Sequence, residues 1–159
     1  MQKDIDIIIY GATGFTGQLC VKYFQSRNTD VNWAIAGRDQ DKLQKVASDN
    51  SVDVEILIAD SDDEVALDIL TSRAKVILST TGPFHRYGSK LVASCVKNSA
   101  NYVDITGENF WVKGLIAKHH EEASAKGIRI IPSCGYDSIP SDLGVFYSAK
   151  VLNKPIKRI

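Results

Sequence analysis

The sequence predicts an α/β fold built on a doubly wound parallel sheet. Apolar segments of strand length alternate with segments of helical spacing along all 159 residues. The first apolar run, Ile5 to Tyr10, is almost continuous, which is typical of a central parallel strand buried on both faces. A glycine-rich segment, Gly11 to Gly17, follows it directly and opens the first helical pattern. Such strand–helix units in succession require right-handed crossovers within one sheet.

The remaining elements follow in strict alternation. We expect strands at 5–10, 33–36, 54–58, 76–79, 102–105 and 128–131, and helices at 17–24, 41–47, 62–71, 89–98, 112–125 and 143–152. The helix at 62–71 starts with Asp62, Asp63 and Glu64, whose charges suit the positive end of a helix dipole. The length fits one domain, and no repeat or low-complexity segment interrupts the alternation.

Charge and composition argue against nucleic-acid-binding and membrane proteins. Nineteen Lys and Arg residues balance 19 Asp and Glu residues, so no net field favours nucleic acid or an anionic surface. No apolar stretch approaches the roughly 18 residues of a membrane span. The N-terminus lacks the charged and apolar regions of a secretory signal. We therefore expect a cytoplasmic protein with no membrane span and no nucleic-acid partner.

Cysteine and histidine spacing gives no metal-binding pattern. Cys20, Cys95 and Cys134 follow neither CxxC nor zinc-ligand spacing, so we expect reduced thiols, with Cys20 and Cys95 on buried helix faces. His119 and His120 lack the HExxH pattern of a zinc helix and are predicted to lie on a solvated helix face. No metal site is predicted.

The glycine-rich segment has the spacing GxxGxxG and reads Gly11-Ala12-Thr13-Gly14-Phe15-Thr16-Gly17. After a strand, the first glycine allows a sharp turn, the second lets a pyrophosphate approach the backbone, and the third allows close helix–strand packing. Free N–H groups at the helix start would face the phosphate charge. The alternative is a tight turn without a ligand, in which three glycines lose conformational entropy without a packing return. The segment predicts an NAD(P)-binding Rossmann fold with these seven residues at the cofactor.

The end of the second strand indicates which nucleotide is bound. An NAD-binding fold usually carries an acidic residue near this point, where it holds the ribose 2′-hydroxyl. Gly37 and Arg38 stand there instead, and a guanidinium can pair with the 2′-phosphate of NADP. NADP is therefore favoured over NAD as the cofactor. The alternative is that Arg38 caps a helix or pairs with Asp39 or Asp41.

Other strand ends supply further candidates for the cofactor site. Asp60 follows the third strand and would lie near the adenine amino group, or alternatively in the N-cap region of the next helix. Ser79, Thr80, Gly82 and Pro83 follow the fourth strand, where small residues let a cofactor cross the carboxyl edge of the sheet. Gly82-Pro83 could equally be a turn before a helix.

The sequence does not fix the catalytic residue. Tyr136 and Asp137 are candidates because they lie in the loop after the sixth strand, where either could donate a proton. Alternatively, Asp137 and Ser138 stabilise a turn while Ser141 caps the following helix.

Two more residues near this edge have open roles. Glu108 follows the fifth strand and would bind a substrate group or lie in the first turn of the next helix. His85 would reach the nicotinamide side or lie in a solvated loop.

Five motifs occur in an order that resembles one family. They are GATGFTG, AGRD followed by Lys42 and Leu43, GPFHRYG, YVDITGENFW and CGYDSIPSDLG. Together they span essentially the whole chain, which resembles the N-terminal domain of the saccharopine dehydrogenase-like oxidoreductases, a group that includes the trans-acting enoyl reductases. The resemblance implies NAD(P)H-dependent reduction, with hydride transfer to a carbonyl, imine or enoyl group of a small or lipid-like molecule. The alternative is a non-catalytic NADP-binding sensor or regulatory protein. Saccharopine itself would need more basic groups than Arg86 and Lys90 provide.

The resemblance also implies a longer protein. Family members carry a larger substrate or dimerisation region after the nucleotide domain, so we expect residues 1–159 to be a Rossmann-domain fragment of an enzyme, inactive alone. Lys154 to Ile159 has the pattern of a strand that continues elsewhere. A missing region would leave an apolar seam exposed, which could also support a homodimer. Candidates for this seam are Phe110, Trp111, Val145, Phe146 and Tyr147.

Overall fold

Six parallel strands form one sheet in the computed structural model, which describes residues 3–27 and 30–152. The strands are β1 (Ile5–Tyr10), β2 (Trp33–Gly37), β3 (Glu55–Ile58), β4 (Ala74–Ser79), β5 (Asn101–Asp104) and β6 (Ile130–Ile131). Their order is β3-β2-β1-β4-β5-β6, and every pairing is parallel. The predicted doubly wound sheet of the Rossmann type is therefore confirmed.

All six predicted helices are present, with one addition. The helices are α1 (Phe15–Arg27), α2 (Gln40–Asp49), α3 (Glu64–Arg73), α4 (Phe84–Tyr87), α5 (Ser89–Lys97), α6 (Asn109–Ala125) and α7 (Ile139–Leu152). The short α4 was not predicted, and β6 has two residues rather than the four expected at 128–131. The segment 154–159, predicted to begin a strand, lies outside the described residues.

The starts of α3 and α7 depart from the predicted cap positions. Asp63 caps α3, and its carboxylate accepts the N–H groups of Val65 and Ala66 at 3.0 Å each. The predicted cap of α7 was wrong: α7 already begins at Ile139, so Ser141 lies within its first turn.

The sheet lies between two layers of helices with a separate core on each face. Ile8 and Ile9 are both fully buried, and because successive strand residues point to opposite faces, each serves a different core. Val21 of α1 packs into the core of Ile9, which α2 completes. Leu67 of α3 and Leu91 of α5 pack into the core of Ile8. The continuous apolar run of β1 thus reflects burial from both sides.

Helix α7 belongs to neither core. None of its residues is buried. The exposed residues of the predicted apolar seam are Phe110, Val145, Phe146 and Tyr147. Trp111 was wrongly included in that seam, because it is buried and its Nε1 donates a hydrogen bond to Ser89 Oγ at 2.9 Å. In the described part of the chain, no helix is long and apolar enough to cross a membrane.

Two predictions about buried side chains need correction. Cys95 is fully buried, which raises the pKa of its thiol, whereas Cys20 is only half-buried. His119 was expected on a solvated face but is buried, and this burial lowers its pKa. It lines an apolar groove of about 390 Å³ between α6 and β6, whereas His120, one residue on, is exposed.

The turn from β1 into α1 depends on close packing at Gly17. A Cβ atom at this position would lie 2.2 Å from the carbonyl oxygen of Gly11 and 2.7 Å from Cα of Ala12. Both are backbone atoms, so neither can move aside without displacing β1 or α1. The predicted role of the third glycine in close helix–strand packing agrees with this geometry.

We expect Gly17→Ala to destabilise the protein by about 2–3 kcal/mol, because the added methyl group overlaps backbone atoms. Gly114→Ala is the matched control, since a Cβ at Gly114 in α6 meets nothing within 4 Å. That change should be neutral or stabilise by about 0.5–1 kcal/mol, as alanine restricts the unfolded chain. Urea denaturation of both variants tests this, and equal midpoints would contradict it.

Candidate functional site

A cleft opens where the carboxyl ends of β1 and β4 lie side by side. After β1 the chain winds toward β2, and after β4 it winds toward β5. The two connections therefore diverge and leave the sheet edge open between them, which is where ligands bind in open α/β sheets. The cleft encloses about 430 Å³.

Seven of the thirteen predicted cofactor residues line this cleft: Gly11, Thr13, Gly14, Arg38, Thr80, Gly82 and Pro83. Ala12 and Gly17 are buried beneath the turn, Ser79 is buried in the sheet, and Asp60 lines an adjoining opening. Phe15 is 82% exposed, and neither it nor Thr16 is part of the cleft lining. The cleft lining also includes Tyr10, Ser61 and Tyr87, which the sequence reasoning missed, and Gly37 and Thr81, which adjoin the predicted residues.

The glycine turn forms the floor of the cleft. Gly11 has φ +87°, a conformation that favours glycine, and its N–H donates to the Ala36 carbonyl at 2.9 Å. The N–H of Gly14 returns to the Gly11 carbonyl at 3.0 Å, and the N–H of Gln18 donates to the Gly14 carbonyl at 2.9 Å. The first helical hydrogen bond of α1 therefore starts at the edge of the cleft.

The first turn of α1 has backbone donors to offer an anion. The first N–H groups of a helix have no acceptor within the helix. Among the described residues, the N–H groups of Phe15 and Thr16 have no hydrogen-bond acceptor. Their partial positive charge, together with the helix dipole, suits a phosphate.

Arg38 extends from the end of β2 without an ion-pair partner among residues 3–27 and 30–152. It lines both the main cleft and an adjoining open region shared with Asp60. The alternative pairing with Asp39 is not adopted, because Asp39 caps α2 through the N–H of Lys42 and pairs with the Lys42 ammonium, both at 3.1 Å. The guanidinium is therefore available to a ligand.

Asp60 is held by its own turn at the end of β3. Its Oδ1 accepts the N–H of Asp62 at 2.9 Å, so it shapes the approach to α3 without capping that helix. Burial raises the pKa of the neighbouring Tyr10, with a smaller contribution from the Asp60 charge. The Tyr10 hydroxyl thus stays protonated and donates to the Ala59 carbonyl at 3.2 Å.

The connection after β4 forms the opposite side of the cleft. The N–H of Thr80 donates to the Tyr10 carbonyl at 2.9 Å, and its hydroxyl lies 3.2 Å from the carbonyl oxygens of Tyr10 and Gly11. The next hydroxyl, Thr81 Oγ1, is buried and has no hydrogen-bond partner in the described part of the molecule. A buried hydroxyl without a partner is costly unless a ligand or water satisfies it.

The candidate catalytic residues lie apart from the cleft lining. Tyr136 is 89% exposed and Asp137 is exposed, both in the connection between β6 and α7. Their catalytic role stays a prediction. Glu108 directly precedes α6, and its carboxylate caps α4 by accepting the N–H groups of Phe84 and His85. His85 accordingly lies in a helix rather than a solvated loop.

A buried carboxylate, Asp104, organises the carboxyl ends of β5 and β6. Its Oδ2 accepts the Tyr102 hydroxyl at 2.8 Å, and its Oδ1 accepts the N–H groups of Thr106 at 2.9 Å and Ser133 at 3.0 Å. Its backbone carbonyl accepts the N–H of Cys134 at 2.7 Å. Burial, followed by the Asp104 charge, raises the pKa of Tyr102. Sequence reasoning missed this residue because its partners come from two chain segments.

The sequence matches one protein family and several relatives. The model of a family described as saccharopine dehydrogenase NADP binding domain matches residues 7–131. A trans-acting enoyl reductase from Mycobacterium leprae is 39% identical over 148 residues, which cover 91% of this chain and 35% of the relative. A saccharopine dehydrogenase-like oxidoreductase from Mus musculus is 35% identical over an alignment of 167 residues, which covers 96% of this chain and 39% of the relative. The chain therefore spans little more than a third of these relatives' length.

Solved structures support the fold assignment. An apo saccharopine dehydrogenase from Saccharomyces cerevisiae superposes with a TM-score of 0.71 at 19% identity, covering 94% of this chain and 31% of that one. An NADPH-dependent quinone oxidoreductase from Escherichia coli gives a TM-score of 0.52 at 19% identity, covering 77% of this chain and 44% of that one. Likeness at this identity concerns the fold alone.

We expect Asp104→Ala to destabilise the protein by about 3 kcal/mol or more, because three buried donors lose their acceptor. Asp104→Asn is the matched control. Its amide oxygen can still accept the two N–H groups while the Tyr102 hydroxyl turns to accept from the amide, so the loss should be about 1 kcal/mol. Urea denaturation at neutral pH gives both values, and equal losses would contradict the network's role.

Proposed function

The chain belongs to the saccharopine dehydrogenase NADP-binding domain family, and from that premise we propose that it is the cofactor-binding part of an NADPH-dependent oxidoreductase. The observation that carries this proposal is that the glycine turn and the guanidinium of Arg38, which has no ion-pair partner in the described part of the chain, open into the same cleft. A dinucleotide with a 2′-phosphate needs both features at once. No contact of the described residues favours the alternative of a non-catalytic sensor.

The adenosine half of NADP binds at the end of β2. Arg38 pairs with the 2′-phosphate through charge-assisted hydrogen bonds. Asp60 lines the adjoining opening and Ser61 lines the main cleft. Arg38 lines both, so the adenine is proposed to bind near these two residues. NAD would leave the Arg38 charge without its phosphate partner.

The pyrophosphate binds over the glycine turn. Gly14 is exposed and has no side chain, so phosphate oxygens can approach the backbone. The N–H groups of Phe15 and Thr16 then donate to the phosphate and satisfy the open end of α1. Phe15 and Thr16 thus contribute through their backbone, which explains why neither side chain lines the cleft.

The nicotinamide half follows the connection after β4, from Thr80 to Pro83. The partnerless hydroxyl of Thr81 is a hydrogen-bonding group that a bound ligand would satisfy, and this fits a dinucleotide here. NADPH supplies a hydride, and the protein's task is to orient the ring and exclude competing reactions. Tyr136 and Asp137 remain the candidates for a proton donor.

The substrate is proposed to carry a carbonyl, imine or enoyl group. The names of the mycobacterial relatives favour an enoyl group. We propose that a further region, as in the longer relatives, completes the substrate pocket and packs on the exposed apolar residues of α7. Residues 1–159 alone would then bind NADP without turnover. A homodimer and a cytoplasmic location stay predictions.

We expect the chain to bind NADPH about 10- to 100-fold more tightly than NADH, since charge-assisted bonds to the 2′-phosphate contribute about 1.5–3 kcal/mol. Arg38→Ala should remove this preference by weakening NADPH binding alone. Arg129→Ala is the control, because Arg129 is exposed beside β6 and away from the cleft. Isothermal titration calorimetry measures all six affinities. Equal affinities for both nucleotides in the wild type would contradict the proposed role of Arg38.

A further inference from the structure

Glu108 is the only side chain in the described residues that caps α4. Its Oε1 accepts the N–H of Phe84 at 2.9 Å, and its Oε2 accepts the N–H of His85 at 2.8 Å. Oε2 also lies 2.7 Å from the His85 ring nitrogen Nδ1. Helix α4 has four residues, and Pro83 at its N-cap makes no side-chain hydrogen bond. A helix this short is not stable by itself, and its position therefore depends on groups outside it.

Glu108 is itself held firmly against β5. Its N–H donates to Thr106 Oγ1 at 3.1 Å, and the N–H of Thr106 donates to the buried carboxylate of Asp104 at 2.9 Å. One turn into α6, the Trp111 ring packs against the Phe84 ring with centroids 6.0 Å apart. The Glu108 carboxylate therefore holds the start of α4 in a fixed position relative to β5.

Helix α4 in turn fixes one end of the connection that lines the cleft. Thr80 holds the other end through its hydrogen bonds to Tyr10 and Gly11. Between these two anchors lie Thr81, Gly82 and Pro83, all in the cleft lining. By contrast, Arg38 and the glycine turn belong to β2 and to the start of α1, which Glu108 does not touch.

We infer that Glu108 is a positioning residue for the nicotinamide half of the cofactor, acting through α4 on Thr81 to Pro83. This inference rests on the proposed function of the cleft. A direct substrate contact is disfavoured because both carboxylate oxygens are already engaged by donors. Removing the Glu108 carboxylate removes the cap of α4 and loosens the connection from Thr81 to Pro83 on the nicotinamide side of the cleft. The adenosine side stays intact.

The charge state of Glu108 agrees with this role. Burial raises the pKa of its carboxyl, but the hydrogen bonds from His85 and from the N–H of Phe84 outweigh burial and lower the pKa overall. Glu108 is therefore an anion at neutral pH. An anion at the N-terminus of α4 is the charge that a helix start favours.

Two ligands separate the two halves of the cleft. NADPH occupies both halves, whereas adenosine 2′,5′-bisphosphate carries the 2′-phosphate and lacks the nicotinamide. For Glu108→Ala we expect NADPH affinity to fall about 5- to 20-fold while affinity for the bisphosphate stays within about twofold. Glu108→Gln keeps one acceptor oxygen and should recover part of the NADPH affinity. Glu121→Ala, at an exposed position of α6, is the control and should change neither.

The nicotinamide fluorescence of bound NADPH provides a second readout. A loosened Thr81–Pro83 connection exposes the ring to water, so Glu108→Ala should reduce the fluorescence enhancement even at saturating NADPH. A loss of affinity for both ligands in parallel would show a general structural role and overturn the inference, as would unchanged NADPH affinity and fluorescence. If the wild-type chain bound neither ligand, the proposed function itself would fail.

Discussion

The contact between Gly17 and the carbonyl of Gly11 determines the geometry of the rest of the site. Because Gly17 has no side chain, α1 can start directly against the end of β1. This contact sets the free N–H groups of the first turn at the carboxyl edge of the sheet, beside the β4 connection. A larger residue would push α1 away from β1, and the donors at its start would no longer face the cleft. The geometry of the proposed phosphate site is therefore fixed by packing.

The doubly wound parallel sheet and most of its elements could be predicted because each element depends on local pattern. The run from Ile5 to Tyr10 is apolar, as a strand covered on both faces requires. Gly11 adopts a positive φ, which glycine allows. Helix α4 could not be predicted, because its cap comes from Glu108, more than 20 residues away in the chain. The burial of His119 was missed for a similar reason, since it depends on where β6 packs against α6.

The same distinction applies to the cofactor cleft. Arg38 could be identified from its position at the end of β2, and its freedom from ion pairs agrees with that identification. The position of Thr81 depends on contacts that sequence does not reveal, namely its approach to Gly11 and the anchor at α4. The residues proposed to recognise the adenosine half thus lie where the motif predicts them. The positions of those proposed to shape the nicotinamide half depend on long-range contacts.

This division has a physical consequence for how the domain could serve different substrates. The nucleotide's adenosine end needs the same groups whatever is reduced, so its recognition can be carried by local motifs on β1, α1 and β2. The reactive end must match its substrate, and here its connection is attached to β5 and α6 through Asp104, Thr106 and Glu108. Changes in those elements can move the reactive end without disturbing the phosphate site. The hydrogen-bonded chain from Asp104 to α4 is therefore the part of the fold through which the proposed nicotinamide geometry can vary without changing how the adenosine half is recognised.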